Sequence, residues 1–193
     1  MIIIGLTGGI GSGKTTIAKV FEALGISIYY SDERAKELYF IPHVKKEIEN
    51  LLGKEAYLDS ATLNRKYVAE KIFSDDELLK QVNAIIHAEV KNDFNAFKEK
   101  HQAEKYIIKE SALLVEANLL SSVDKLIVVT STNNLREQRI IKRDGLSKNE
   151  FQNRINKQLP DTEKIKHATW VIENNEEDLL IPQILQIHQS LLT

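Results

Sequence analysis

The sequence predicts an α/β fold of three layers around a five-stranded parallel sheet, and three observations predict it. Five short runs rich in β-branched residues recur along the chain: 2–7 (IIIGLT), 26–30 (ISIYY), 106–111 (YIIKES), 126–131 (LIVVTS) and 170–174 (WVIEN). A glycine-rich turn joins the first run to a helical pattern. A long stretch of helical pattern separates the second run from the third. The five runs are too short and too apolar for amphipathic helices, and they read as strands buried on both faces.

The elements follow in order. In KTTIAKVFEALG, Ile17, Val20, Phe21 and Leu24 share one helical face, and Gly25 is placed to stop the helix. Strand, helix and strand at this spacing form a βαβ unit, which requires parallel strands. The segment between the second and third strands exceeds what one crossover needs. It contains helical patterns at 42–53, 63–73 and 75–102, so it reads as an inserted helical subdomain. Residues 135–158 are helical in pattern and rich in arginine, with a break at Asp144-Gly145. A closing helix follows the last strand despite Pro182. The reading therefore divides the chain into a core of 1–32 and 106–193, with a lid at about 136–158, and an insertion of 33–105.

Composition narrows the function classes. Basic and acidic side chains nearly balance, 26 against 28, so no global charge draws the chain to nucleic acid or to an anionic membrane. Cysteine is absent, which excludes disulfides, thiolate nucleophiles and zinc–thiolate sites. The opening MIIIGLTGG lacks the basic region of a secretion signal, and no apolar stretch is long enough to span a membrane. A cytoplasmic protein is the expectation.

The chemistry starts at GLTGGIGSGKTT, residues 5–16. Gly8, then four residues, then Gly13-Lys14-Thr15 matches the phosphate-binding loop, and its context between strand and helix is the one the motif needs. Glycines let the backbone wrap closely around an anion. Successive N–H groups then form a nest at the positive end of a helix dipole. Gly8, Gly9, Gly11, Ser12, Gly13, Lys14, Thr15 and Thr16 are the candidate phosphate set. Lys14 would place its ammonium on the outer phosphates, and the Thr15 hydroxyl would ligate an accompanying Mg²⁺. The base-selective NKxD segment of a GTPase is not present; NKQL at 156–159 lacks the aspartate. A small-molecule kinase fits the remainder, because the insertion offers room for an acceptor and 135–158 offers arginines.

Further along, the aspartate of YYSDERAKEL, then LNR, IF, NAIIH, ALLVE, the arginines before KRDG, RINKQ and VIEN follow the loop in a set order. In this order and spacing, nearly the whole chain resembles the dephospho-CoA kinases. The resemblance implies a nucleoside-kinase-like P-loop fold with an arginine-rich lid. It also implies ATP and Mg²⁺ as cofactors and dephospho-CoA as the small-molecule partner, phosphorylated on its 3′-hydroxyl. Kinases of a nucleoside monophosphate or another small alcohol, and a nucleotide-dependent switch, are the alternatives. The sequence departs from the family at Tyr30-Ser31-Asp32, where the family often reads DAD and only the second acid survives, and at Ala88 and Ala112, where proline often stands.

Asp32 follows the second strand at the ligand-binding edge of a parallel sheet; a carboxylate there can take or orient the proton of the acceptor hydroxyl or cap the next helix, and the two roles are compatible. The resemblance assigns it the base role. Arg139 and Arg143 share a helix face. The resemblance makes them lid residues, Arg143 on the phosphates and Arg139 near adenine or bridging to phosphate, with Lys142 and Arg136 read as solvated. Arg154 and Gln158 are expected to hold the lid closed. The resemblance also makes Arg65 and His87 acceptor contacts. Glu116 is a candidate for the acceptor or a water-mediated Mg²⁺ contact, with Glu110 an alternative in the metal shell. Asn174 and Asn175, after the last strand, suit adenine-edge contacts or a turn.

Overall fold

The computed structural model describes residues 1–193. The chain forms two compact units, one of residues 1–30 and 101–193 and the other of residues 31–100.

The first unit is built on five parallel strands: β1 (Ile2–Gly8), β2 (Ile28–Tyr30), β3 (Tyr106–Glu110), β4 (Lys125–Thr130) and β5 (Trp170–Glu173). Their order across the sheet is β2-β3-β1-β4-β5. β1 is central, with Ile4 opposite Ile108 on one side and Leu6 opposite Ile127 on the other. Alternation along β4 shows why its sequence is apolar throughout. Ile127 and Val129 join a core with Ile4, Leu6, Ile17, Phe21 and Ile184, whereas Leu126 and Val128 pack with Leu114 and Val115. The first face is covered by α1 (Lys14–Ala23) and by the chain-closing helix Leu180–Leu192. On the second face, turns over 112–118 precede the helix Asp161–Ile165, which packs against β4.

Helix ends follow their sequence signals. Gly25 has φ 85° and donates its N–H to Glu22, stopping α1. Pro182 falls in the first turn of its helix, where its missing N–H costs no intrahelical bond. Gly145, at φ 67°, ends the helix Asn133–Asp144, and a reciprocal capping box of Ser147 and Glu150 opens the helix Lys148–Ile155. These four later helices are numbered α6 (Asn133–Asp144), α7 (Lys148–Ile155), α8 (Asp161–Ile165) and α9 (Leu180–Leu192).

The second unit is helical: α2 (Ser31–Leu38), α3 (Pro42–Leu52), α4 (Arg65–Phe73) and α5 (Asp76–Lys100). Its core gathers Val44, Ile48 and Leu52 of α3, Val68 of α4 and Val82 and Ile86 of α5, with Tyr57 from the connection between α3 and α4. Arg34 clasps Asp93 with Nε and Nη2, at 2.9 and 2.6 Å, fixing α2 against α5. Asn64 caps α4 by accepting the Tyr67 N–H.

Candidate active site

The glycine loop leaves the carboxyl end of the central strand and runs into α1. Sheet order reverses on either side of β1, and such a switch point opens a crevice for ligands in parallel sheets. Gly11 and Gly13 adopt φ of 78° and 96°, a left-handed backbone that glycine enters without steric cost.

The loop's carbonyls are held by side chains. Ile10 C=O accepts from Arg136 Nε at 2.8 Å, and Ser12 C=O accepts from Asn174 Nδ2 at 2.7 Å. In a trans peptide the C=O and the following N–H point opposite ways. Anchoring these two carbonyls therefore turns the Gly11 and Gly13 N–H groups to the other side. Both glycines line a cavity of about 240 Å³ with Lys14, Thr15, Thr16, Arg139, Ile140 and Arg143. Lys14 Nζ donates to Gly8 C=O at 2.9 Å. The cavity thus joins backbone donors, three cationic side chains and two threonines, a set suited to an oxygen-rich anion.

The remaining nucleotide-site candidates support this arrangement. Arg139 donates through Nη1 to Ser131 at 3.1 Å and through Nη2 to Asn174 C=O at 3.0 Å. Asn174 is buried, and its amide fills the space a Cβ on Gly13 would need. Its side chain therefore braces the loop. Arg143 is 65% exposed and forks onto neighbouring Asp144 at 2.7 and 3.0 Å. That hydrogen bond holds the Asp144 carboxyl below the usual carboxylate range and lifts the Arg143 guanidinium above its own.

Arg136 corrects the expectation of a solvated side chain. It is 5% exposed, bonded to Ile10 C=O and ion-paired with Asp161 at 3.2 Å. Burial pushes its pKa down, and Asp161 opposes that shift. The signal was in the sequence: Ile140, the apolar anchor of α6, stands four residues on and shares Arg136's face. Gln158 also meets the loop, its Oε1 accepting the Ile10 N–H at 2.8 Å.

Glu116 is engaged elsewhere in the same unit. Its Oε1 lies 2.7 Å from Nζ of Lys164, a fully buried lysine, and accepts the Leu159 N–H at 3.2 Å. The Lys164 contact is ionic, since Nζ lacks hydrogen-bond geometry. Glu110 is buried at the end of β3, opposite Leu6 of β1.

Asp32, Arg65 and His87 belong to the helical unit. The capping alternative for Asp32 is corrected: α2 begins at Ser31, so Asp32 lies inside its first turn, exposed, and is not its N-cap. Arg65 opens α4 and lines a largely apolar cavity of about 380 Å³ with Lys36, Tyr39, Phe40 and Ile72. His87 is exposed on α5 and is not in that lining.

No group of three or more histidine, aspartate or glutamate side chains is arranged to hold a metal ion. Mg²⁺ delivered on phosphates needs only one or two protein ligands, so the exposed Thr15 hydroxyl at this cavity fits that mode. No helix is long and apolar enough to cross a membrane.

Known proteins match this chain over most of its length. The crystal structure of TT1252 from Thermus thermophilus superposes with a TM-score of 0.87 at 30% identity, covering all of this chain and 98% of that one. A shikimate kinase from Bacteroides thetaiotaomicron shares the fold at a TM-score of 0.52 and 19% identity, over 99% of this chain and 98% of its own. The dephospho-CoA kinase of Bacteroides fragilis is 37% identical over 187 residues, 96% of this chain and 91% of that protein. That of Fusobacterium nucleatum is 38% identical over 93% of each. The family model for dephospho-CoA kinase matches residues 2–179, and the chain belongs to the dephospho-CoA kinase family.

Proposed function

We propose that this protein transfers the γ-phosphoryl group of ATP to the 3′-hydroxyl of dephospho-CoA, releasing coenzyme A and ADP. One observation carries the proposal beyond family membership. The loop carbonyls at Ile10 and Ser12 are tied back by Arg136 and Asn174, so the Gly11 and Gly13 N–H groups are freed for phosphate beside Lys14 and Arg139.

The roles follow from charge and position. Phosphoryl transfer asks little covalent chemistry of a protein; it asks for alignment and charge neutralisation. The Gly11 and Gly13 N–H groups seat the nucleotide phosphates. Lys14 leaves the Gly8 carbonyl for the transferring group, and Arg143 exchanges Asp144 for phosphate oxygens. The Thr15 hydroxyl would hold a phosphate-bound Mg²⁺, which would neutralise part of the charge that builds up on transfer. Asp32 accepts the proton of the 3′-hydroxyl as its oxygen bonds to phosphorus and the bond to the ADP oxygen breaks. The apolar cavity beside Arg65 and Lys36 suits an acceptor with an apolar arm and anionic groups.

The test is steady-state turnover with ATP and Mg²⁺ against a panel of dephospho-CoA, nucleoside monophosphates and small alcohols. Selective, ATP-dependent production of coenzyme A is expected. Tight nucleotide binding with slow hydrolysis and indifference to every acceptor would identify a switch instead.

A further inference from the structure

Two neighbouring peptide groups at the crest of the glycine loop are gripped by residues outside the phosphate-loop pattern. The Gly9–Ile10 peptide gives its N–H to Gln158 Oε1 at 2.8 Å, and its carbonyl accepts the Ser12 N–H at 3.1 Å. The Ile10–Gly11 peptide gives its carbonyl to Arg136 Nε at 2.8 Å. Arg136 is itself fixed by Asp161, and its guanidinium occupies the space that a Cβ on Gly9 would enter. Ile10 has a glycine on each side, so its peptides have little conformational preference of their own.

We propose that Gln158, together with Arg136, is a positioning residue for the nucleotide: the two set the direction of the loop's N–H groups without touching the substrate. The inference rests on the nucleotide-site reading above. Arg136 comes from α6, Gln158 from just beyond α7 and Asp161 from the start of α8. The segment read as a lid is thereby also the frame that shapes the loop. A neutral hydrogen bond is worth about 2–12-fold in an equilibrium, and losing the Gln158 acceptor should weaken phosphate binding by that factor.

The test compares Gln158→Met, which keeps length and removes a good acceptor, with Gln158→Glu, which keeps an acceptor oxygen. The readouts are amide hydrogen exchange at Ile10 in the nucleotide-free protein and titration with ADP and with inorganic tripolyphosphate. Gln158→Met should melt like the parent, speed Ile10 exchange about 2–12-fold and weaken both ligands similarly, since the loss is at the phosphates. Gln158→Glu should restore slow Ile10 exchange. Unchanged Ile10 exchange in Gln158→Met overturns the proposal, and so does faster exchange spread through β1, β3 and β4, which would mark a general support of the fold. A parent protein that binds neither ligand defeats the nucleotide reading, while the exchange comparison still judges the clamp.

Discussion

Glu116→Gln separates two roles for one carboxylate. Its position after the third strand makes Glu116 a candidate for an acceptor or water-mediated metal contact, whereas the structure pairs it with a lysine that has no exposed surface. Glutamine keeps the volume and the oxygen that accepts the Leu159 N–H, so the substitution removes essentially the charge alone. Lys164 is then left buried without its counter-ion. Removing one member of a buried pair costs about 3–5 kcal/mol, because the remaining charge is desolvated and uncompensated. Glu116 is 13% exposed, which places the expected loss toward the lower end. For a chain of this size each kcal/mol moves Tm by roughly 2–4 °C, giving a fall of about 6–20 °C. Urea denaturation and thermal melting read the stability, and turnover at matched folded concentration reads the chemistry. The double variant Glu116→Gln, Lys164→Met removes the stranded charge and should recover most of the loss. An unchanged Tm in Glu116→Gln, with dephospho-CoA turnover or affinity lost, would refute the structural role and return Glu116 to the ligand.

Lys14→Ala should reduce steady-state turnover by roughly 10²–10³ at nearly unchanged Tm, the usual effect of one preorganised contact to developing charge; near-normal turnover would dismiss its role. Asp32→Asn should fold normally, bind ATP, and turn over roughly 10²–10⁴ more slowly if the carboxylate takes the hydroxyl proton; an active variant would leave the proton to solvent or substrate. Burial raises the Glu104 pKa, but hydrogen bonds from Ser27 and His101 outweigh it and hold the carboxyl below its ordinary 4.5. The stability this contributes is present above pH 4.5 and lost as pH falls through the depressed folded value, so Glu104→Gln should flatten the acid limb of a stability–pH curve.

What the sequence made legible was whatever is written locally. Strands buried on both faces left continuous apolar runs, and the glycines that end α1 and α6 sit where left-handed backbone is required. The phosphate loop is likewise a contiguous pattern. The features that escaped are pairings between distant residues. Glu116 and Lys164 carry no mutual signature in sequence, and α8, which contributes the lysine, is only five residues long. Arg136 was read as solvated because charge suggests water. Its burial is made possible by Gly9, whose missing side chain leaves room for the guanidinium, and by Gly11, where a Cβ would meet Arg136's own backbone and Cβ. Asp32 missed the cap by its register: α2 starts two residues earlier than a capping aspartate would allow.

The loop's dependence on distant side chains also has a consequence for biosynthesis. Its partners lie 126, 148 and 162 residues downstream, at Arg136, Gln158 and Asn174. β1 has no strand to pair with until β3 and β4 have been made. At roughly 5–20 residues per second, the ribosome leaves the glycine segment without its last brace for about 8–32 s. During that interval the segment lacks the anchors that hold the Ile10 and Ser12 carbonyls in the finished fold. A stretch translated well before its braces is among the last to acquire its working shape.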